Sequence, residues 1–235
     1  MIEQPLPDFE RALVIVAHPD DAEFGCAGTV ALWTEAGVAV TYVICTDGAQ
    51  GSADPSLLAS ELAAIRQREQ RAAARVLGVE RVEFLGHPDG GLVADVTLRR
   101  ELTRAIRQFR PDLVVCQNAV RHYGNLGGNH PDHLAAGQGA IEAVYPFARN
   151  RYAFPELLAE GLEPHTVREV WVTGTETPDH FVDVSSTLER KLEALRCHRS
   201  QQQDDPGERV SARLAEAGKP HGMAFAESFR RVASR

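Results

Sequence analysis

Short apolar, β-branched runs alternate with longer stretches of helical periodicity along the first half of the chain. Ala12–Ala17 is apolar at every position, the pattern of a strand buried on both faces of a parallel sheet. A helix is predicted from about Gly25 to Ala36 and stops at Gly37. Val38–Thr46 reads as a second strand, Leu57–Leu77 as a helix ending at Gly78, and Val82–Leu85 as a third strand. Leu98–Phe109 then reads as a helix halted by Pro111, and Leu113–Cys116 as a fourth strand. After a Gly/Asn-rich loop, His122–Asn129, the pattern predicts a helix from Pro131 to about Val144 and short strands at Val170–Val172 and Phe181–Val184. A further helix is expected over Ser186–Arg199, with Ser185 or Ser186 as its N-cap and Glu189 closing a capping box. Beyond the polar break Gln201–Gly207, two short helices are expected, the second over Met223–Phe229. Strand and helix alternation of this kind builds right-handed βαβ units, so the fold class is α/β with a mostly parallel sheet flanked by helices and short C-terminal strands and helices.

Composition narrows the class. The chain has 235 residues, 43% of them hydrophobic and 25% charged, which suits one α/β domain. The expected organisation is a single domain over 1–235, with a core at about 11–201 and a C-terminal extension at about 202–235. A net charge of −8 offers no basic footprint for nucleic acid. The cysteines, Cys26, Cys45, Cys116 and Cys197, are widely spaced, and Cys45 and Cys116 fall in strand-like runs, so no disulfide framework is expected. Met1–Glu10 lacks a basic segment followed by an apolar one, and no run approaches the roughly 20 apolar residues of a membrane span. A cytoplasmic location and no membrane partner are the expectation. The 9 His in an acidic chain point instead to metal chemistry.

In open α/β sheets ligands bind at the carboxyl ends of strands. The first strand ends in Ala17-His18-Pro19-Asp20-Asp21-Ala22-Glu23. Three readings of that segment stand open. Helix capping uses one Asp and leaves His18 unexplained. An acidic Mg²⁺ pocket uses both Asp residues and again has no role for His18. A borderline metal such as Zn²⁺ takes His nitrogen and carboxylate oxygen together. After the fourth strand the chain reads Asn129-His130-Pro131-Asp132-His133, with Pro131 suited to the first position of a helix. One histidine of this pair, with His18 and Asp21, completes three protein ligands, the number found in catalytic zinc sites. His87-Pro88-Asp89-Gly90 reads as a turn from which Asp89 reaches the pocket. Gly25 and Gly28 do not form a dinucleotide-binding G-x-G-x-x-G.

The paired motifs resemble the LmbE/PIG-L family of zinc-dependent deacetylases, which act on N-acetylglucosamine-type amides. Thr46-Asp47-Gly48, Arg66-x-x-Glu69, Leu77-Gly78-Val79, Pro88-Asp89-Gly90, Pro111–Val114, Lys191–Leu195 and His198-x-Ser200-Gln201 extend the resemblance over about residues 11 to 201. It implies a Rossmann-like sheet with Zn²⁺ held by His18, Asp21 and His133. It further implies Asp20 as general base, His130 as the group that stabilises the oxyanion or protonates the leaving amine, Asp132 as the residue that orients His130, and Arg66 and Asp89 as holders of sugar hydroxyls. Some members carry a tyrosine two residues before the first His of the second motif. Here that position is Gly128, with Tyr123 nearby in the same loop as a substitute.

The function so implied is removal of an acetyl group from an N-acylated, sugar-containing small molecule, with a homo-oligomer left open. The alternatives are an amidase for a non-acetyl amide, such as a thiol conjugate or natural-product intermediate, and a zinc-binding protein without turnover. The extra carboxylate of Asp20 has little use in a pure binding site.

Overall fold

A computed structural model of the chain describes residues 7–123, 126, 129–201 and 204–234. The reading of residues 1–6, and of Gly128 in the loop before the second motif, lies outside these. Five parallel strands, β1 (Arg11–Val16), β2 (Ala39–Thr46), β3 (Arg81–His87), β4 (Leu113–Gln117) and β5 (Glu169–Thr173), form most of one sheet. Two antiparallel strands, β6 (His180–Asp183) and β7 (Ala226–Ala233), complete the seven-stranded order β3-β2-β1-β4-β5-β7-β6. The strand order reverses between β1 and its neighbour β4, which creates a crevice at their carboxyl ends.

Alternate side chains divide the core between the two faces of the sheet. Val14, Val16, Tyr42, Ile44 and Val115 pack with helices α1 (Asp21–Glu35), α2 (Ala59–Val76), α6 (Leu188–Arg196) and α7 (Gly207–Gly218). Leu13, Ile15, Val43, Cys45, Val114 and Cys116 pack with α3 (Val96–Phe109) and α4 (Pro131–Glu142). A short α5 (Pro155–Ala159) precedes β5. No helix among the described residues is long and apolar enough to cross a membrane.

Three predicted elements differ. Helix α1 starts at Asp21, a full turn before the expected Gly25. Helix α6 is shorter than expected and has Thr187 at its N-cap position, where the Thr187 hydroxyl donates to the Gly28 carbonyl rather than closing a capping box with Glu189. The largest difference is the tail. In place of a helix over Met223–Phe229 the chain forms β7, paired on both sides, with β5 and with β6. β6 pairs with Ala226–Phe229 and β5 with Phe229–Ala233, and Ala226, Glu227 and Phe229 become buried, which a short isolated helix could not achieve.

Burial of Glu227 has a specific cause. Its carboxylate accepts the backbone N–H groups of Gly28 (2.9 Å) and Thr29 (2.8 Å) in α1, and pairs at 2.6 Å with Lys191 Nζ, itself fully buried. Lys191 also donates to the carbonyls of Glu23 and Phe24. The tail strand is thereby bolted to α1 and α6. Removing one partner of such a pair leaves the other charge buried and uncompensated, so Lys191→Met should lower stability by about 3–5 kcal/mol. A urea midpoint equal to that of the wild type would show that the pair contributes nothing.

Candidate metal centre

The crevice between β1 and β4 is built by backbone geometry before any chemistry enters. The Ala17 N–H, just beyond β1, donates to Gln117 Oε1 at the end of β4 over 2.8 Å. Helix α4 lies directly on that strand end, because a Cβ at Gly137 would sit 2.2 Å from the Gln117 carbonyl oxygen. Close approach of this kind requires glycine, and it delivers the first turn of α4 to His18.

The two motifs meet there. His18 Nδ1 lies 3.2 Å from His133 Nε2 and 3.3 Å from Asp21 Oδ2, and His133 Nε2 lies 3.1 Å from Asp21 Oδ1. Asp21 Oδ2 also accepts the His18 backbone N–H at 2.7 Å, which ties ligand-type atoms of one motif into a tight turn. The opposite nitrogen, His18 Nε2, faces Asp89 Oδ1 at 3.0 Å and Asp132 Oδ2 at 3.2 Å. Two overlapping groups, His18/His130/His133 and His18/Asp89/Asp132, bring ligand-type atoms within 4.8 Å of one another. The described residues therefore contain a His/Asp centre able to hold a metal ion.

Asp20 occupies the N-cap position of α1 but does not cap it. Its backbone is left-handed, with φ 95°, and its side chain makes no capping hydrogen bond. For a residue with a Cβ such a conformation costs on the order of 1–3 kcal/mol, which answers the capping reading of the motif. Its carboxylate stands 3.3 Å from the Arg66 guanidinium, whose other contacts are to the carbonyls of Pro19 (2.6 Å) and Gly48 (2.9 Å). Burial, helped by the Asp21 carboxylate, pushes Asp20 up to about 7 against the pull of Arg66 and His198. For Asp21 burial also opposes ionisation, but the hydrogen bonds and charges of His133 and His18 win and hold it well below the usual carboxylate range. Burial alone would lower His18; the Asp21 hydrogen bond and the charges of Asp21, Asp89 and Asp132 push it up to about 9. Burial and the neighbours His18 and His133 push His130 down.

The roles implied for several residues look different in three dimensions. Among the described residues no hydrogen bond joins the Asp132 carboxylate to His130. That carboxylate is fully buried, accepts the N–H groups of Gly90 (2.7 Å) and Leu92 (3.1 Å), and faces His18. His130 is held instead by the Asp132 backbone, whose N–H donates to His130 Nδ1 at 3.2 Å, because the imidazole itself caps α4. Asp89 reaches the pocket as expected, but its second oxygen accepts the Gln50 N–H, and both terminal nitrogens of Arg66 are engaged by the protein. Tyr123 is 92% exposed.

Sequence reasoning did not single out Gln70, or His198 beyond a landmark, and it gave Glu23 only a place in the helix's first turn. Gln70 Nε2 donates to Glu23 Oε1 at 2.9 Å, and Glu23 Oε2 pairs with His198 Nε2 at 3.1 Å. These residues come from α2, α1 and the segment after α6, so no spacing in the sequence signals their meeting. A cavity of about 340 Å³ opens beside the centre, bordered by Asp21, His133, Phe24, Asn118, Thr173 and Arg213. A larger one of about 450 Å³, lined by Trp33, Trp171 and His180, lies at the opposite ends of the strands, away from the His/Asp centre.

Fold and centre together define an open α/β protein that carries a His/Asp metal site at its topological switch point. Residues 13–144 match the PIG-L family model, described as GlcNAc-PI de-N-acetylase, and the chain belongs to this family. It is 35% identical to diacetylchitobiose deacetylase from Thermococcus kodakarensis, over 98% of this chain and 86% of that protein. It is 30% identical to probable N-acetyl-alpha-D-glucosaminyl L-malate deacetylase 2 from Bacillus anthracis, over 81% of each. The N,N'-diacetylchitobiose deacetylase of Pyrococcus horikoshii, solved with an inhibitor, superposes with a TM-score of 0.91 at 34% identity, covering 100% of this chain and 88% of that one.

The buried His198–Glu23 pair has a consequence for stability. Burial works against a charged His198, but the Glu23 hydrogen bond and charge outweigh it and raise its pKa above the ordinary value of 6.5. Protonated His198 therefore stabilises the folded chain. That contribution is fully present below the unfolded value of about 6.5 and is lost as pH rises through the higher folded value. The melting temperature of the wild type should fall over that interval, and His198→Asn should lack this component of the fall; equal slopes for the two proteins would sink the assignment.

Proposed function

We propose that the chain is a zinc-dependent hydrolase that removes the acetyl group from an N-acetylglucosamine-type small molecule. The observation that carries this reading is the triangle of His18 Nδ1, Asp21 and His133 Nε2, with the separate carboxylate of Asp20 next to it in the chain. Zinc bonds of about 2.0–2.1 Å in tetrahedral geometry put neighbouring ligand atoms about 3.3–3.4 Å apart. The contacts here are 3.2 Å between the two imidazoles, and 3.3 and 3.1 Å from His18 and His133 to the two different oxygens of Asp21. These three residues are the proposed ligands. The relatives, which by name act on diacetylchitobiose and on a glucosaminyl malate, support an acetylated amino sugar as substrate.

The residues around the triangle take roles that follow from their contacts. Asp89 and Asp132 accept the Nε2–H of His18, which leaves the Nδ1 lone pair facing inward, the usual carboxylate–histidine support of a metal ligand. A Zn²⁺ ion held there would polarise the acetyl carbonyl and make water acidic enough to be deprotonated near neutral pH. Asp20 takes the water's proton as general base, and its raised pKa suits it to hand that proton to the departing amine. His130 Nδ1 is an acceptor of a backbone N–H, so a neutral ring carries its proton on Nε2 and donates from there to the oxyanion. Arg66 keeps the Asp20 carboxylate in place through its bonds to Pro19 and Gly48.

The direct test is acetate release. Zinc-loaded protein should liberate acetate from N-acetylglucosamine, diacetylchitobiose or N-acetylglucosaminyl malate, lose this on chelation and regain it with added zinc. No acetate from any of them at full zinc occupancy would overturn the reading. Asp20→Asn should retain zinc and lose about 10²–10⁴-fold in kcat, the usual worth of a general base; near wild-type turnover would refute the base assignment. His133→Ala should bind less than stoichiometric zinc by elemental analysis, and full occupancy would remove His133 from the ligand set.

A further inference from the structure

The left-handed backbone of Asp20 has to be held by something, since residues with a Cβ avoid that region. The Asp20 N–H donates to Gln70 Oε1 at 2.9 Å. Gln70 is completely buried in α2, and so are the residues behind it: its Nε2 donates to Glu23 Oε1 at 2.9 Å, and Glu23 Oε2 meets His198 Nε2 at 3.1 Å. The order of these contacts sets a direction. The Asp20 N–H can only donate, so the amide group of Gln70 must turn its carbonyl oxygen toward Asp20 and its NH₂ toward Glu23. A flipped amide would set an NH₂ against the Asp20 N–H and an oxygen against a carboxylate. His198 fixes the far oxygen of Glu23, while the backbone carbonyl of Glu23 is anchored by Lys191. Arg66, one helical turn before Gln70 in α2, grips the Pro19 carbonyl on the other side of the same peptide turn.

We propose that Gln70, oriented by the buried Glu23–His198 pair, is a positioning residue that locks Asp20 in its left-handed conformation and so keeps the Asp20 carboxylate out of the His18/Asp21/His133 triangle. The inference rests on the reading of Asp20 as general base. Without Gln70 the Asp20 peptide relaxes toward an ordinary conformation, and the carboxylate leaves the geometry needed to take a proton from water.

The test compares zinc-loaded wild type, Gln70→Met, Asp20→Asn and the double variant. Gln70→Met should lower kcat by about 10²-fold, the scale of a misplaced catalytic group, with KM and bound zinc unchanged. Combined with Asp20→Asn it should cause no further loss, because its effect runs through Asp20. Hydrogen exchange at the Asp20 amide should become fast in Gln70→Met. If Gln70→Met does not fold, Gln70→Asn, one methylene too short to reach Asp20, gives the same measurements. Wild-type kcat in the Gln70 variant, or an equal fold-loss in the Asp20→Asn background, would overturn the proposal. Should Asp20→Asn itself retain turnover, the base reading falls instead, and the Asp20 amide exchange still reports whether Gln70 holds that backbone.

Discussion

Parallel pairing of β1 with β4 is the contact on which the centre depends. Its register sets Ile15 opposite Cys116, so that the chain leaves β1 at His18 beside the point where α4 begins its descent on the far side. The Ala17–Gln117 hydrogen bond closes the gap between the strand ends, and the missing side chain at Gly137 lets α4 press onto the same carbonyl that Gln117 presents. Over a hundred residues separate His18 from His133, yet their ring nitrogens stand 3.2 Å apart because strand pairing, the Gln117 side-chain bond and the close approach at Gly137 fix the two segments together. Sheet and helix termini supply most of this geometry, and the loop after β3 adds Asp89 and the N–H groups of Gly90 and Leu92.

Around that frame the protein sorts its carboxylates by environment. Asp20 and Asp21 are neighbours in sequence and equally deprived of solvent, but one faces two imidazoles and the other faces its own neighbour's charge. The imidazoles hold Asp21 ionised, and burial, helped by the Asp21 charge, raises Asp20 to about 7. Two adjacent carboxylates are thereby given different proton affinities, the pattern on which the proposed division between ligand and base rests. Asp132 shows a third solution, since two backbone N–H groups neutralise its burial cost and leave it free to aim His18. The acid excess of the chain as a whole plays no part in this; each of these carboxylates acts through its own few partners.

The C-terminal segment belongs to the same construction. Glu227 in β7, Lys191 in α6 and the first turns of α1 form one buried set of charge-assisted contacts, and α1 carries both Asp21 and Glu23. Residues that read as an appendage along the chain thus secure the helix from which half of the centre projects.

The sequence by itself determined the alternating α/β pattern, the placement of chemistry at strand ends and the two His/Asp motifs, because apolar periodicity and ligand chemistry are local properties that short segments express. His18, Asp21 and His133, whose side chains meet at 3.1–3.3 Å, were legible as candidates for that reason. What remained hidden depended on partners distant in the chain. Whether Met223–Phe229 is helix or strand was decided by two open sheet edges that only exist once β5 and β6 are in place. Which imidazole the Asp132 carboxylate faces was decided by the direction in which the first turn of α4 points. The meeting of Gln70, Glu23 and His198 behind Asp20 was decided by the packing of α2 and α6 against α1. Local pattern specifies which residues are available at a site, and the tertiary structure specifies which of their atoms face one another, because hydrogen bonds and charge interactions are settled over a few ångströms that the linear order does not encode.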